Sequence, residues 1–164
     1  MKKPFLKTLF FITFTLILAV FSVFIALRLK KPSPIDSDFQ ALGQALEEQG
    51  FTENMIPGTP LELKRRFGLL QDAYPSVLYY EPVTYMNVEE ILVVEVRSEA
   101  EGDEVREAIG RALESQMKLF VNYGVDQYGY LRDSVIYRNE RYILYAAGAN
   151  APDAVQEIRA AIER

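Results

Sequence analysis

The stretch Tyr123-Gly-Val-Asp-Gln-Tyr-Gly-Tyr130 gathers three tyrosines, two glycines, Asp126 and Gln127 within eight residues. Tyrosine offers rigid contact area with a polar tip, and glycine lets a partner come close. Tyr123, Asp126, Gln127, Tyr128 and Tyr130 therefore read as a candidate interaction loop for a peptide or a glycan. The competing reading has the tyrosines covering the end of the core while Gln127 satisfies loop backbone groups. Gln116 interrupts an otherwise apolar helical stripe. A buried amide needs partners, so it is expected to bond a loop or strand backbone.

Acids come in pairs: Glu47 with Glu48, Glu89 with Glu90, and Asp126 with Asp133. Two carboxylates can perform acid–base chemistry or hold a hard cation. Adjacent acids on a helix or loop usually face solvent, and none of these lies in an EF-hand pattern. The basic triplet Lys64-Arg65-Arg66 reads as a solvated helix end, with a local anion contact as the alternative. Ser76, Ser98, Ser115 and Ser134 have no His to activate them, because the chain contains no His. It also contains no Cys, which excludes disulfides, thiolate nucleophiles, cysteine metal sites and a lipid-bearing Cys. No Gly-rich phosphate loop is present. The residues thus give no catalytic constellation, no metal set and no cofactor motif.

The elements that must position these residues begin with an apolar run. Thr8–Leu27 has twenty residues without charge, Gly or Pro. At about 1.5 Å per helical residue it matches a hydrocarbon core of about 30 Å. It is expected to be a transmembrane anchor within residues 1–31, with basic flanks at Lys2, Lys3, Lys7, Arg28, Lys30 and Lys31. A cleaved signal peptide is the alternative. The run is long for one, and Phe24 stands where a small residue before Ala26 is wanted. Basic residues on both flanks leave orientation open; a signal-anchor start favours the domain outside.

Residues 32–36 carry two prolines and read as an extended linker to an α+β domain over 37–164. No acid precedes Asp36, so residues 32–164 set 12 bases against 23 acids, a net of −11. That charge excludes a nucleic-acid footprint.

The order within the domain reads α, α, β, β, α, β, β, α. A first helix is expected from a Ser37 cap to about Gln49, with Gly50 at its end. Thr59-Pro-Leu-Glu62 opens a second. Ser76–Tyr85 and Ile91–Arg97 read as an antiparallel strand pair, with Pro82 pushing the first toward an edge or a bulge. Asp103 to about Tyr123 is the longest helix. Asp133–Tyr137 and Tyr142–Ala147 flank a turn, and Pro152–Ile162 is the last helix. Two β-hairpins, each followed by a helix (ββαββα), imply an antiparallel four-stranded sheet with helices packed on one face.

Several of these patterns resemble a known family. Gln116-x3-Phe120-x2-Tyr123-x3-Gln127, the hairpin Ser134–Tyr145 and the segment Tyr85–Glu95 are similar to the bacterial domain of unknown function 4358 family, over about residues 61–162. The resemblance implies an exported, membrane-anchored domain with no assigned activity. Members are often lipoproteins; this chain lacks the lipid-bearing Cys, so Thr8–Leu27 would replace the lipid. Gly124 also stands where a Pro is more typical. The expected function is a non-catalytic binding or accessory module on the outer side of a membrane, for a protein or cell-surface polymer. The alternatives are a carboxylate-based hydrolase of surface polymers and a cytoplasm-facing regulatory domain.

Overall fold

The computed structural model describes residues 17–18, 34–122 and 124–163. The expected anchor, apart from Ile17 and Leu18, and the start of the linker lie outside the described residues. Among the described residues no helix is long and apolar enough to cross a membrane. The chain divides into units 1–33 and 34–164, and the second contains the fold.

Helix α1 spans Pro34–Glu48. It begins inside the segment expected to be an extended linker, with Ser37 within the helix instead of capping it. A proline loses nothing at a first helical position, so Pro34 starts a turn as readily as it ends one. The far end follows expectation: Gly50 takes φ +78, Phe51 N donates to Leu46 O and Gly50 N to Glu47 O. This is a Schellman closure, which a left-handed residue makes possible.

Strand β1, Met55–Pro57, follows, then α2, Pro60–Phe67. Thr59 Oγ1 accepts from Glu62 N at 3.2 Å, and Gly68 closes α2 in the left-handed region. Strands β2 (Val77–Pro82) and β3 (Glu90–Glu95) come next. Helix α3, Glu99–Phe120, starts four residues before the expected Asp103, because Ser98 is the cap and accepts from Glu101 N. Then come α4 (Val125–Arg132), β4 (Val135–Arg138), β5 (Tyr142–Ala147) and α5 (Ala151–Ile162).

The sheet is antiparallel with order β1-β2-β3-β5-β4. It has five strands, not four. The extra one, β1, is too short to show an alternation and ends in a proline, so its pairing with β2 (Ile56 opposite Glu81) is what makes it a strand. Pro82 pairs only with β1, beyond the reach of β3, so it costs the sheet no hydrogen bond there although β2 is internal.

The helices cover both faces of the sheet, not one. Leu92 and Val94 of β3 point to a cluster with Leu63, Phe67, Val105 and Ile109 from α2 and α3. Ile91 and Val93 point to the opposite cluster with Phe39, Leu42, Leu46, Val155 and Ile158 from α1 and α5. All six residues of β3 are buried in consequence. The unbroken run Ile91-Leu-Val-Val94 is the sequence of a strand covered on two sides. Each such side chain stabilises the fold by about 1.5–3 kcal/mol.

The second hairpin turns without glycine. Asn139 Oδ1 accepts from Arg141 N (2.8 Å) and Tyr142 N (2.7 Å), so a side chain supplies what a left-handed glycine would otherwise give.

Candidate functional site

The expected interaction loop is largely a helix. Gly124 caps α4, and Asp126, Gln127, Tyr128 and Tyr130 lie within it; Tyr123 lies outside the described residues. Tyr128 and Tyr130 are half-buried against Val88, Phe120 and Leu131, a third apolar cluster at the end of the sheet. Gln127 Oε1 accepts from Val88 N at 3.2 Å and ties α4 to the β2–β3 connection. Of its described members, only Asp126 is exposed. The helix is nearly featureless in its apolar pattern, because it is short and carries Gly129 and two tyrosines; that is why it reads as a loop.

What the same end does expose is the β2–β3 connection. Tyr85 is 93 % exposed and Met86 and Val83 are also exposed; Val125, at the start of α4, is 89 % exposed. The β2–β3 connection is held from below. Asn87 Oδ1 accepts from Val88 N (2.7 Å) and Glu89 N (3.0 Å), and Asn87 Nδ2 donates to Asn54 O (3.4 Å) and Glu89 Oε2 (3.1 Å). Val83 N donates to Asn54 O. Tyr85 had been expected in a strand; β2 ends at Pro82 and releases it.

Two acids prove central: Glu90, expected in solvent beside Glu89, and Glu95, inside the expected strand Ile91–Arg97. Glu90 is 0 % exposed on the α2–α3 face. Arg66 reaches it with two prongs, Nε to Oε2 at 3.1 Å and Nη2 to Oε1 at 2.6 Å, and donates a further bond to Ala112 O at 3.3 Å. The solvated helix end expected at Lys64-Arg65-Arg66 therefore holds only in part: Arg66 points inward. Burial works to lower its pKa, but Glu90's hydrogen bonds and charge outweigh that and hold it above the ordinary value. Glu95, at the other end of β3 and on the other face, is buried against Arg141, whose Nε donates to Oε1 at 2.8 Å. Both acids flank the apolar run of a two-sided strand, and that position is the signal that could have revealed them.

Tyr79 and Tyr145 complete the Glu90 neighbourhood, in register across β2, β3 and β5 through Leu92. The ring of Phe67 meets both edge-on, at 5.7 and 6.0 Å between centroids. Burial, then the nearby Glu90 charge, pushes both hydroxyls well above the usual tyrosine range. Among the described residues Tyr145 Oη, buried close to Glu90, makes no hydrogen bond of ordinary geometry. Gln116 Oε1 is buried without a hydrogen-bond partner among them, which corrects the expected backbone bond at that residue. Of the remaining acid pairs, Glu47 accepts from Tyr80 Oη at 2.8 Å, and Asp133 pairs with Arg132. A cavity of about 50 Å³ lies where α1, β1, β5 and α5 converge, between Phe51, Met55, Glu89, Gly148 and Ala151. That is room for a water or two.

This arrangement of five strands and the helices between them is covered by one family model. Residues 48–148 match the domain of unknown function DUF4358. The chain belongs to that family. The DUF4358 match begins at the end of α1 and stops just after β5, so it takes in the whole sheet, the ion pair of Arg66 with Glu90, and α4. It starts earlier than the expected residue 61 and leaves out α5, which the expectation had included. Neither the curated proteins nor the solved structures yield a match.

Proposed function

We propose that this DUF4358 chain is a non-catalytic binding module, held outside the membrane by Thr8–Leu27, whose partner is a protein or a cell-surface polymer. The observation that carries the reading is the exposure of Val83, Tyr85 and Met86 on the β2–β3 connection, with exposed Val125 at the start of the helix that Gln127 ties to it. Large apolar side chains exposed singly mean little; several together on a braced turn are what a partner surface looks like. The bracing matters. Asn87, Gln127 and Asn54 fix the connection, so little ordering entropy remains to be lost when a partner docks. The length and lack of charge of Thr8–Leu27 support the anchor.

A photo-crosslinking residue in place of Tyr85, activated in intact cells, tests the surface. A defined adduct is expected, lost on Met86→Asp with Val125→Asp while the circular dichroism stays unchanged. No adduct, or one that ignores those changes, rejects this surface. Protease shaving of intact cells tests the topology: cleavage of the domain is expected, and resistance until lysis would place it in the cytoplasm.

A further inference from the structure

We propose that two copies of this chain join edge to edge through β4, making one ten-stranded antiparallel sheet. The two edges of the sheet are not alike. β1 is three residues long and ends in Pro57, which has no N–H to offer, so that edge is blunted. β4 (Val-Ile-Tyr-Arg) has neither Pro nor Lys, and among the described residues no strand lies on its outer side.

The pairing of β4 with β5 says which groups face outward. Asn139 N donates to Tyr142 O at 3.0 Å. In an antiparallel pair, bonded and non-bonded positions alternate. Residues 135, 137 and 139 therefore direct their backbone bonds to β5, in the register Val135–Ala146 and Tyr137–Leu144. Ile136 and Arg138 direct theirs away. A second β4 placed with Ile136 opposite Arg138, about a two-fold axis at Tyr137, satisfies both residues on both strands with four hydrogen bonds. Pairing Ile136 with Ile136 gives only two. The sequence thus selects one register, and that register is symmetric, as an isologous interface requires.

Side chains on both faces agree with a second copy as the occupant. On the α3 face Ile136 is 37 % exposed, while Arg138 bonds Asp103 and Glu99 O at the start of α3. On the α5 face an open groove of about 530 Å³ runs along the edge between Val135, Val155, Arg159, Ala160 and Glu163. Arg159 and Glu163 sit at the proposed axis: Tyr137 Oη donates to Glu163 Oε1 at 2.6 Å, and Arg159 Cζ lies 4.2 Å from the Tyr137 ring centre. The axis sets the two α5 helices antiparallel, with Arg159 of each copy toward Glu163 of the other. The charges are therefore self-complementary. The axis also keeps both α1 helices on one face of the joined sheet.

Sedimentation of the full chain in density-matched detergent micelles tests this. A dimer is expected. Ile136→Pro removes an outward N–H that β5 does not use, and should weaken the dimer at least tenfold with the melting temperature little changed. Glu163→Arg should weaken it too, and Arg159→Glu with Glu163→Arg should restore it. Because the chain has no Cys, Tyr137→Cys places a single thiol at the axis. It should form a disulfide-linked dimer on oxidation, whereas Leu119→Cys should not. A monomer overturns the proposal. So does a dimer that tolerates both Ile136→Pro and Glu163→Arg, since it would be joined elsewhere. A monomer whose crosslinker at residue 136 captures a different protein would assign the edge to a foreign strand and equally overturn it.

Discussion

Arg66 on α2 and Glu90 on β3, twenty-four residues apart, are locked by two parallel bonds of 3.1 and 2.6 Å inside the core. Such a pair is costly to break and cheap to replace. Glu90 is wholly enclosed, while the Arg66 side chain keeps 17 % of its surface in solvent. Arg66→Met, which strands the carboxylate, should cost about 3–5 kcal/mol. Glu90→Leu should cost less, because the guanidinium can turn outward. Arg66→Met with Glu90→Leu should lie above Arg66→Met alone. Urea unfolding of the three variants reads these values, and simple additivity would show that the two groups do not depend on each other.

Gly58 fixes how β1 approaches β2. Its N–H donates to Tyr79 O at 2.7 Å, and a Cβ there would stand 2.1 Å from Tyr79 Cδ1. Gly58→Ala should therefore cost about 1–3 kcal/mol by overpacking. In a Tyr79→Leu background the ring is gone and the same change should cost much less. An equal cost in both backgrounds would trace the effect to the backbone of residue 58 instead.

Gln116 Oε1 is buried without a partner. An unsatisfied buried polar atom costs about 1–3 kcal/mol. Gln116→Met keeps the length of the side chain and removes the atom, so it should raise the melting temperature. A drop would mean that the amide is held by something bound to the protein.

These residues also show what the sequence could carry. Capping and periodicity located α2, α3, β3, β5 and α5 to within a few residues, because Thr59 and Gly68 act locally; the Ser98 cap went unread, which is why α3 starts four residues before Asp103. The sheet's two-sided cover was not legible from helix order, although the unbroken apolar run of β3 encodes it. The inward turn of Arg66 was hidden for a simpler reason: three bases in a row at a helix end look alike, and only the tertiary position of Glu90 separates one from the others. The exposed Tyr85 was lost to its own composition, since an aromatic after Val83-Thr84 reads as more strand until Pro82 is seen to close it.

The buried tyrosines are expected to set the alkaline limit of the fold. Burial, then the charge of Glu90, raises the pKa of Tyr79 and Tyr145; burial, then the bond to Glu47, raises that of Tyr80. An unfolded tyrosine ionises at about pH 10. Below that pH both states hold their protons, and the stabilisation is fully present. Above it the unfolded chain sheds protons that the folded chain retains, so stability falls steadily as pH rises toward the folded values. Tyrosinate absorbance should then lag behind that of free tyrosine and complete only as the circular dichroism collapses. Tyr145→Phe separates the causes. Among the described residues its hydroxyl lies close to Glu90 but makes no hydrogen bond of ordinary geometry, so the variant should be no less stable than the parent at pH 7 and more stable above pH 10. Lost stability at pH 7 would show that the hydroxyl is bonded after all, with Glu90 the nearest acceptor to test by the Glu90→Leu variant.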